Sequence, residues 1–239
     1  MRKLLNIDAN AKTVKGQKRG YLTGILYLAP ADLSGYEVCP QRSAGCTEAC
    51  LNTAGRGAFS NVQASRISKT KYYFENRPAF MDDLVLNIRA LERKAKRMNL
   101  TPVVRLNGTS DLPWERTTSF LWGTLPNIFA LFPHIQFYDY TKVTKRSIRF
   151  ASGKDWPSNY HLTFSRSGEN DDDVDAVRLG GGNVAAVYSP EAKADLLVDK
   201  PNNVDGDLHD LRFLDPLGSW VLLKAKGPAI HDQSNFVIR

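Results

Sequence analysis

The chain is short of cysteine: three in 239 residues, all between positions 39 and 50. An odd number confined to one loop excludes the disulfide framework of a small secreted domain, which uses an even set spread through the chain. It has no run of eighteen apolar residues, so no membrane-spanning helix is expected. The opening Met1-Arg2-Lys3-Leu4-Leu5-Asn6-Ile7-Asp8 starts with charge but has no apolar stretch of signal length. The expected location is therefore the cytoplasm. Common fingerprints are missing too: no P-loop, no G-x-G-x-x-G, no H-E-x-x-H and no G-x-S-x-G. Gly180-Gly181-Gly182 precedes a strand, so it reads as a helix stop rather than a phosphate cradle.

Charge is plentiful. Thirty-two Lys and Arg oppose 25 Asp and Glu, for a net +7. Much of the excess lies on one expected helix, at Arg89, Arg93, Lys94, Lys96 and Arg97. A solvated basic face is favoured over a nucleic-acid surface, because no aromatic-and-basic recognition motif accompanies it.

The apolar pattern alternates between strands and helices. Strands are expected at 21–29, 102–107, 135–140, 160–165, 184–188 and 220–225. Helices are expected from Ser60 towards Asn76, from Pro78 onward, over 115–132 with a break near Pro126, over 144–151 and over 171–179. The helix from Pro78 carries Leu84, Ile88, Leu91, Ala95 and Met98 on one face. Strand–helix alternation with short apolar runs favours parallel β–α units covered on both faces. The expected fold is a single α/β domain over 1–239, a barrel or partial TIM-like barrel with parallel strands. An open doubly wound sheet is the alternative.

The cysteines lie in the loop expected at about 31–58, spaced C-x6-C-x3-C at Cys39, Cys46 and Cys50. Clustered thiolates suit soft metals and iron–sulfur clusters. Three ligands leave one iron of a [4Fe–4S] cluster without cysteine, open to substrate, solvent, a His or a carboxylate. Open positions mark chemistry, closed ones structure. Zinc with three Cys and one His is the main rival. However, the nearest His, His134, is more than eighty residues from the loop, and compact zinc modules keep their ligands closer. Free or redox-active thiols are the third reading. Just beyond, Arg56 in Ala54-Gly55-Arg56-Gly57 either binds an anion beside the cluster or sits exposed in a glycine-rich turn.

Parallel α/β folds bind ligands beyond the carboxyl ends of their strands. Here those ends are polar: Arg105, Asn107, Gly108, Thr109, Ser110 and Asp111; Asp139, Tyr140, Thr141 and Lys142; Ser165, Arg166 and Ser167; Tyr188 and Ser189. The cysteine loop follows the first strand and so belongs at the same rim. Arg105 and Asp139 lie in apolar stretches, where an unpaired charge is costly. They either pair with each other or bind the ligand. His209, in Asp205-Gly206-Asp207-Leu208-His209-Asp210, is a structural histidine, an acid–base group or a fourth ligand.

The cysteine loop with Ala54-Gly55-Arg56-Gly57, Arg105-Leu106-Asn107-Gly108-Thr109-Ser110-Asp111, Phe137-Tyr138-Asp139-Tyr140-Thr141-Lys142, Leu162-Thr163-Phe164-Ser165-Arg166-Ser167, Asp205-Gly206-Asp207 and Lys224-Ala225-Lys226-Gly227 resemble the phage "gene product 88" family over about 20–228. The resemblance implies a viral origin and the cytoplasm of an infected bacterium. A weaker, architectural similarity links the chain to radical S-adenosylmethionine enzymes, which hold a three-cysteine [4Fe–4S] cluster after the first strand of a partial barrel. Their spacing is C-x3-C-x2-C, however, and no glycine-rich motif follows the second strand here.

These observations converge on one expectation, an iron–sulfur, redox or Lewis-acid enzyme acting on a small molecule. Cys39, Cys46 and Cys50 would hold the cluster. Arg105, Asp139, Lys142 and His209 are the candidate catalytic residues. Arg56, Asn107, Thr109, Ser165 and Arg166 are the candidate cofactor-binding residues. The expected partners are a small-molecule ligand at the open iron and an electron donor. A radical S-adenosylmethionine-type enzyme and a zinc or iron–sulfur nucleic-acid-binding module are the alternatives.

Overall fold

A computed structural model describes residues 1–7, 11–117, 127–199 and 202–239. Nine strands form one sheet: β1 (Leu5–Ile7), β2 (Tyr21–Leu26), β3 (Thr101–Arg105), β4 (Gln136–Thr141), β5 (Tyr160–Ser165), β6 (Val184–Tyr188), β7 (Asn203–Asp205), β8 (Trp220–Lys224) and β9 (Val237–Ile238). The order is β1-β2-β3-β4-β5-β6-β8-β7, and β9 also pairs with β6. Only β1 is antiparallel to its neighbour; β2 to β9 pair in parallel. Among the described residues no pairing joins the two edges of the sheet. The α/β class is as expected; of the expected barrel or partial barrel, closure is corrected, since the sheet is open and mostly parallel. Nor does the strand order reverse near its middle, as it does in doubly wound sheets.

The helices are α1 (Ala11–Gln17), α2 (Ala44–Glu48), α3 (Ser60–Glu75), α4 (Arg77–Arg97), α5 (Ile128–Leu131), α6 (Thr144–Ser152), α7 (Asp171–Leu179) and α8 (Pro190–Asp199). Asn76 caps α4 by accepting the Ala79 N–H, and Pro78 lies in the first turn. Leu84, Ile88, Leu91 and Ala95 are fully buried against the sheet. Each of the leucines and the isoleucine stabilises by about 1.5–3 kcal/mol. Met98, expected on that face, is exposed because it is the C-cap. Leu91 packs where β2 has Gly24; a Cβ there would lie 2.9 Å from a Leu91 methyl. Of the helix expected over 115–132, a 3-10 turn at Trp114–Arg116 and α5 are seen, and 118–126 lies outside the described residues.

The largest apolar cluster joins α3, α4 and α5 to one face of the sheet. The other face is covered by the segment between β7 and β8: Leu211 packs on Val103 and Tyr138, with Phe213 and Tyr21 at the margin. Gly16 of α1 lies against Leu211, and the Lys12 ammonium donates to the Gly206 carbonyl at 2.9 Å. The chain before β2 thus meets the chain after β7. Since β2 to β8 run in parallel, their carboxyl ends form one rim.

Candidate metal centre

Cys39 lies in the loop between β2 and α2, whereas Cys46 sits on α2 and Cys50 just after it. Ser43 fixes this loop: its hydroxyl accepts the Cys46 N–H at 3.1 Å and donates to the Ser167 carbonyl after β5 at 2.8 Å. Gly45 has no room for a side chain, since a Cβ would collide with Ser234 and Phe236 before β9. Cys46 packs on the small cluster of Ala49, Ala225, Ala229, Phe236 and Val237.

All three thiols are half-buried and free. Burial pushes the Cys39 thiol up to about 11; the Ala31 N–H, 3.5 Å from its sulfur, works against this, and Cys50, Asp111 and Cys46 add to it. Burial also raises Cys50. The Asn52 N–H pulls it down, Cys46 pushes it up, and Arg66 and Lys142 pull it down. Each thiol therefore lies within charge range of the others. Among the described residues no three His, Cys, Asp or Glu side chains stand close enough to hold a single metal ion. A cubane makes a different demand, because its thiolates bind separate irons across the width of the cluster. The donors such a group would use are three thiols on one loop, with backbone N–H groups on two of them.

The other expected site residues divide. Lys142, after β4, donates from its ammonium to the Ser165 hydroxyl at 3.1 Å and from its backbone to Asp111 at 2.8 Å. Thr109 puts its carbonyl 3.8 Å from the Cys39 sulfur, and its hydroxyl donates to the Leu28 carbonyl. Lys142, Ser165 and Thr109 thus stand at the cysteine rim. Asn107 organises the loop beneath it: its carbonyl oxygen accepts from Ser110, Leu112 and Trp114, and its backbone N–H donates to Asp139 at 2.7 Å. Gly108 closes this loop on the end of β2, where a Cβ would lie 2.7 Å from the Leu26 carbonyl.

The remaining charges are spent inside the protein. Arg105 pairs with Asp210 at 3.0 Å, stacks over Tyr140 and lies 3.9 Å from Asp139. Asp139 is fully buried and accepts from the Tyr160 hydroxyl at 2.9 Å. Burial raises its carboxyl to about 7, although Arg105, the Asn107 N–H, Tyr160 and Arg146 all favour its charge. Arg166 grips Asp171 with two hydrogen bonds and donates to the Asn235 carbonyl. His209 lies on the segment covering the opposite face, accepting the Leu211 N–H beside Arg212. Burial and Arg212 lower it to about 4, so it is neutral near pH 7. Arg56 is exposed.

Sequence reading missed Arg66 and Arg146, and named Asp111 only as one of the polar strand-end residues. Arg66, on α3, is 8% exposed; it donates to the Asn52 side chain and stacks over Tyr27. Nothing in the helix pattern separates it from neighbouring surface basics, except its position six residues past the exposed Ser60 start. Asp111 and Glu115 both pair with Arg146, at 2.5 and 2.9 Å.

A family model decides the relationship: "Gene product 88" matches residues 3–239. The chain belongs to the Gene product 88 family. This is a family of phage gene products, as the motifs suggested, and its model covers more of the chain than those motifs spanned. No curated protein and no solved structure matches the chain. The comparisons thus lend no support to the similarity with radical S-adenosylmethionine enzymes. No helix among the described residues is long and apolar enough to cross a membrane.

Proposed function

We propose that this Gene product 88 protein is an iron–sulfur protein. In this reading Cys39, Cys46 and Cys50 hold a [4Fe–4S] cluster with one iron open to a small-molecule ligand. The reading is supported by three half-buried, free thiols on the one loop that follows β2, whose charges act on one another. Disulfide bonding is disfavoured by the odd number, and burial favours the protonated thiol at Cys39 and Cys50 when no metal is bound. A bound cluster would supply a Lewis acid or an electron-transfer centre at the open iron.

The chain's own residues supply the rest. The Ala31 and Asn52 N–H groups stabilise thiolate sulfur. Arg66 and Lys142 favour negative charge at Cys50. Asn107 and Asp139 keep the adjoining loop in place. The open sheet would serve as a partial barrel, with α1 packed on the segment that follows β7. A redox reaction at this site requires an electron donor, and the expected setting is the cytoplasm of an infected bacterium.

The test is anaerobic purification with iron, acid-labile sulfide and zinc measured on the same sample. Four irons and four sulfides per chain are expected for a complete cubane, with loss of both in Cys39→Ala, Cys46→Ala and Cys50→Ala. A colourless protein carrying stoichiometric zinc would overturn the reading.

A further inference from the structure

Two motifs that the iron–sulfur reading leaves unused, Asp205-Gly206-Asp207 and Lys224-Ala225-Lys226-Gly227, meet at the carboxyl ends of β7 and β8. The Gly206 N–H donates to the Leu222 carbonyl at 3.0 Å, and the Lys224 N–H to the Asp207 carboxylate at 2.8 Å. Four ammoniums converge on this one turn. Lys12 and Lys226 share a single oxygen, Asp207 Oδ1, at 3.1 and 2.7 Å. Lys193 lies 2.7 Å from the other oxygen and also pairs with Asp205. Lys15 donates to the Asp207 carbonyl at 3.2 Å. These lysines come from three separate elements: α1, α8 and the turn after β8.

Among the described residues the turn's two carboxylates thus face four ammoniums, and even with Lys12 set aside they face three. Asp210, the next carboxylate along the chain, is bonded to Arg105. Ammoniums gathered on one carboxylate repel each other at short range, and a further anion relieves that repulsion. The cluster is also within reach of solvent: the Lys226 side chain is 52% exposed, and those of Lys12 and Asp207 are 23% and 20% exposed. An ammonium is a compact point charge suited to phosphate, whereas planar carboxylate recognition favours arginine. Convergence on one point differs from the strip of cations that tracks a nucleic-acid backbone, whose charges are spread along the helix axis. We infer that this turn is a phosphate-binding site, in which Lys12, Lys15 and Lys226 hold the phosphate group of a small molecule and Asp207 keeps the ammoniums together. No cysteine takes part, so the site stands apart from the iron–sulfur reading.

The probe is inorganic phosphate, titrated by calorimetry into the full chain, with acetate as the control anion. Saturable binding of phosphate and none of acetate is expected. Lys12→Gln and Lys226→Gln should each weaken binding about 10-fold, the loss of one charge-assisted hydrogen bond. Lys226→Arg should retain most of it, because the charge stays. Lys18→Gln removes an exposed charge just past α1 that makes no bond to the turn among the described residues, and should change Kd less than ~2-fold. Thermal melts identify any variant that fails to fold. The exposed Lys226 then carries the comparison through its Gln and Arg forms.

Absence of phosphate binding, or equal binding by Lys226→Gln and the parent, would overturn the inference. A short DNA duplex, titrated across salt concentrations, is the second probe. Duplex binding by protein that takes up no inorganic phosphate would also overturn it, and would assign the lysines to a nucleic-acid backbone. Equal phosphate binding by iron-free and iron-replete protein would support the site and leave the iron–sulfur reading to its own test.

Discussion

Two polar regions sit one above the other in this protein, and they treat charge in opposite ways. Beneath the rim and on the face opposite the main helices, buried cations come with their own carboxylates. Arg146 lies between Asp111 and Glu115, Arg105 faces Asp210, and Arg212 faces Asp215 at 3.3 Å. At the cysteine rim, and among the described residues, the Arg66 guanidinium bonds the Asn52 amide and stacks over Tyr27, and the Lys142 ammonium bonds the Ser165 hydroxyl. A buried network whose charges are balanced is structural, even where single atoms such as Arg105 Nε and Arg212 Nε lack a hydrogen-bond partner among the described residues. A cation held in place without its counter-ion is a local cost that something outside the chain must offset.

The largest test of this contrast is Arg146→Met. Burial opposes the Arg146 charge, yet Tyr160, Asp111 and Glu115 hold its guanidinium above the usual arginine range. Removing it strands two buried carboxylates, so unfolding stability should fall by about 3–5 kcal/mol. Urea denaturation at pH 7 measures this. A loss under ~1 kcal/mol would show that the lower network is as dispensable as a surface pair.

The lower region also sets opposing pH responses. His209 is lowered to about 4, so between pH 6.5 and 4 the unfolded chain takes up the proton first and stability falls as pH falls. Asp139 is raised to about 7, so over the range 3.8 to 7 the folded protein holds the proton longer and stability falls as pH rises. Taken from pH 7 to 5, His209→Gln should therefore gain about 1–2 kcal/mol relative to the parent, and Asp139→Asn should lose a similar amount. Denaturation curves at the two pH values read both differences. Shifts of the same sign in both variants would refute the assignment.

Much of this was legible in the sequence, and the reason is periodicity. Strands β5 and β6 and helix α7 fall where the apolar pattern puts them, and the rim emerges because parallel β–α units put strand carboxyl ends together. The short edge elements escaped: β1, β7 and β9 are two or three residues long, too brief to show alternation. Helix α1, with its two buried positions Thr13 and Gly16, presents no apolar stripe. Barrel closure was illegible because it depends on twist and edge pairing, not on residue type. Arg105 and Arg166 looked like site residues because charge in an apolar run is costly. The sequence does not reveal that Asp210 and Asp171 neutralise them across 105 and five residues of chain respectively.

The smallest expected effect is the most informative. Arg66→Met keeps most of the side chain's length and apolar stem while deleting the charge. It forfeits the bond to Asn52 and the stacking on Tyr27, 5.0 Å from the guanidinium carbon to the ring centre. Each is worth about 1 kcal/mol. It also removes an uncompensated buried cation, which returns a comparable amount. In metal-free, anion-free protein the net change should lie within about 1 kcal/mol of zero, against the several lost in Arg146→Met. The two arginines are similarly inaccessible, at 8% and 4% exposure, so burial cannot explain such a difference; only the presence or absence of carboxylates can. Equal costs for the two substitutions would mean that Arg66 has a counter-charge within the fold, and the contrast between the regions would collapse.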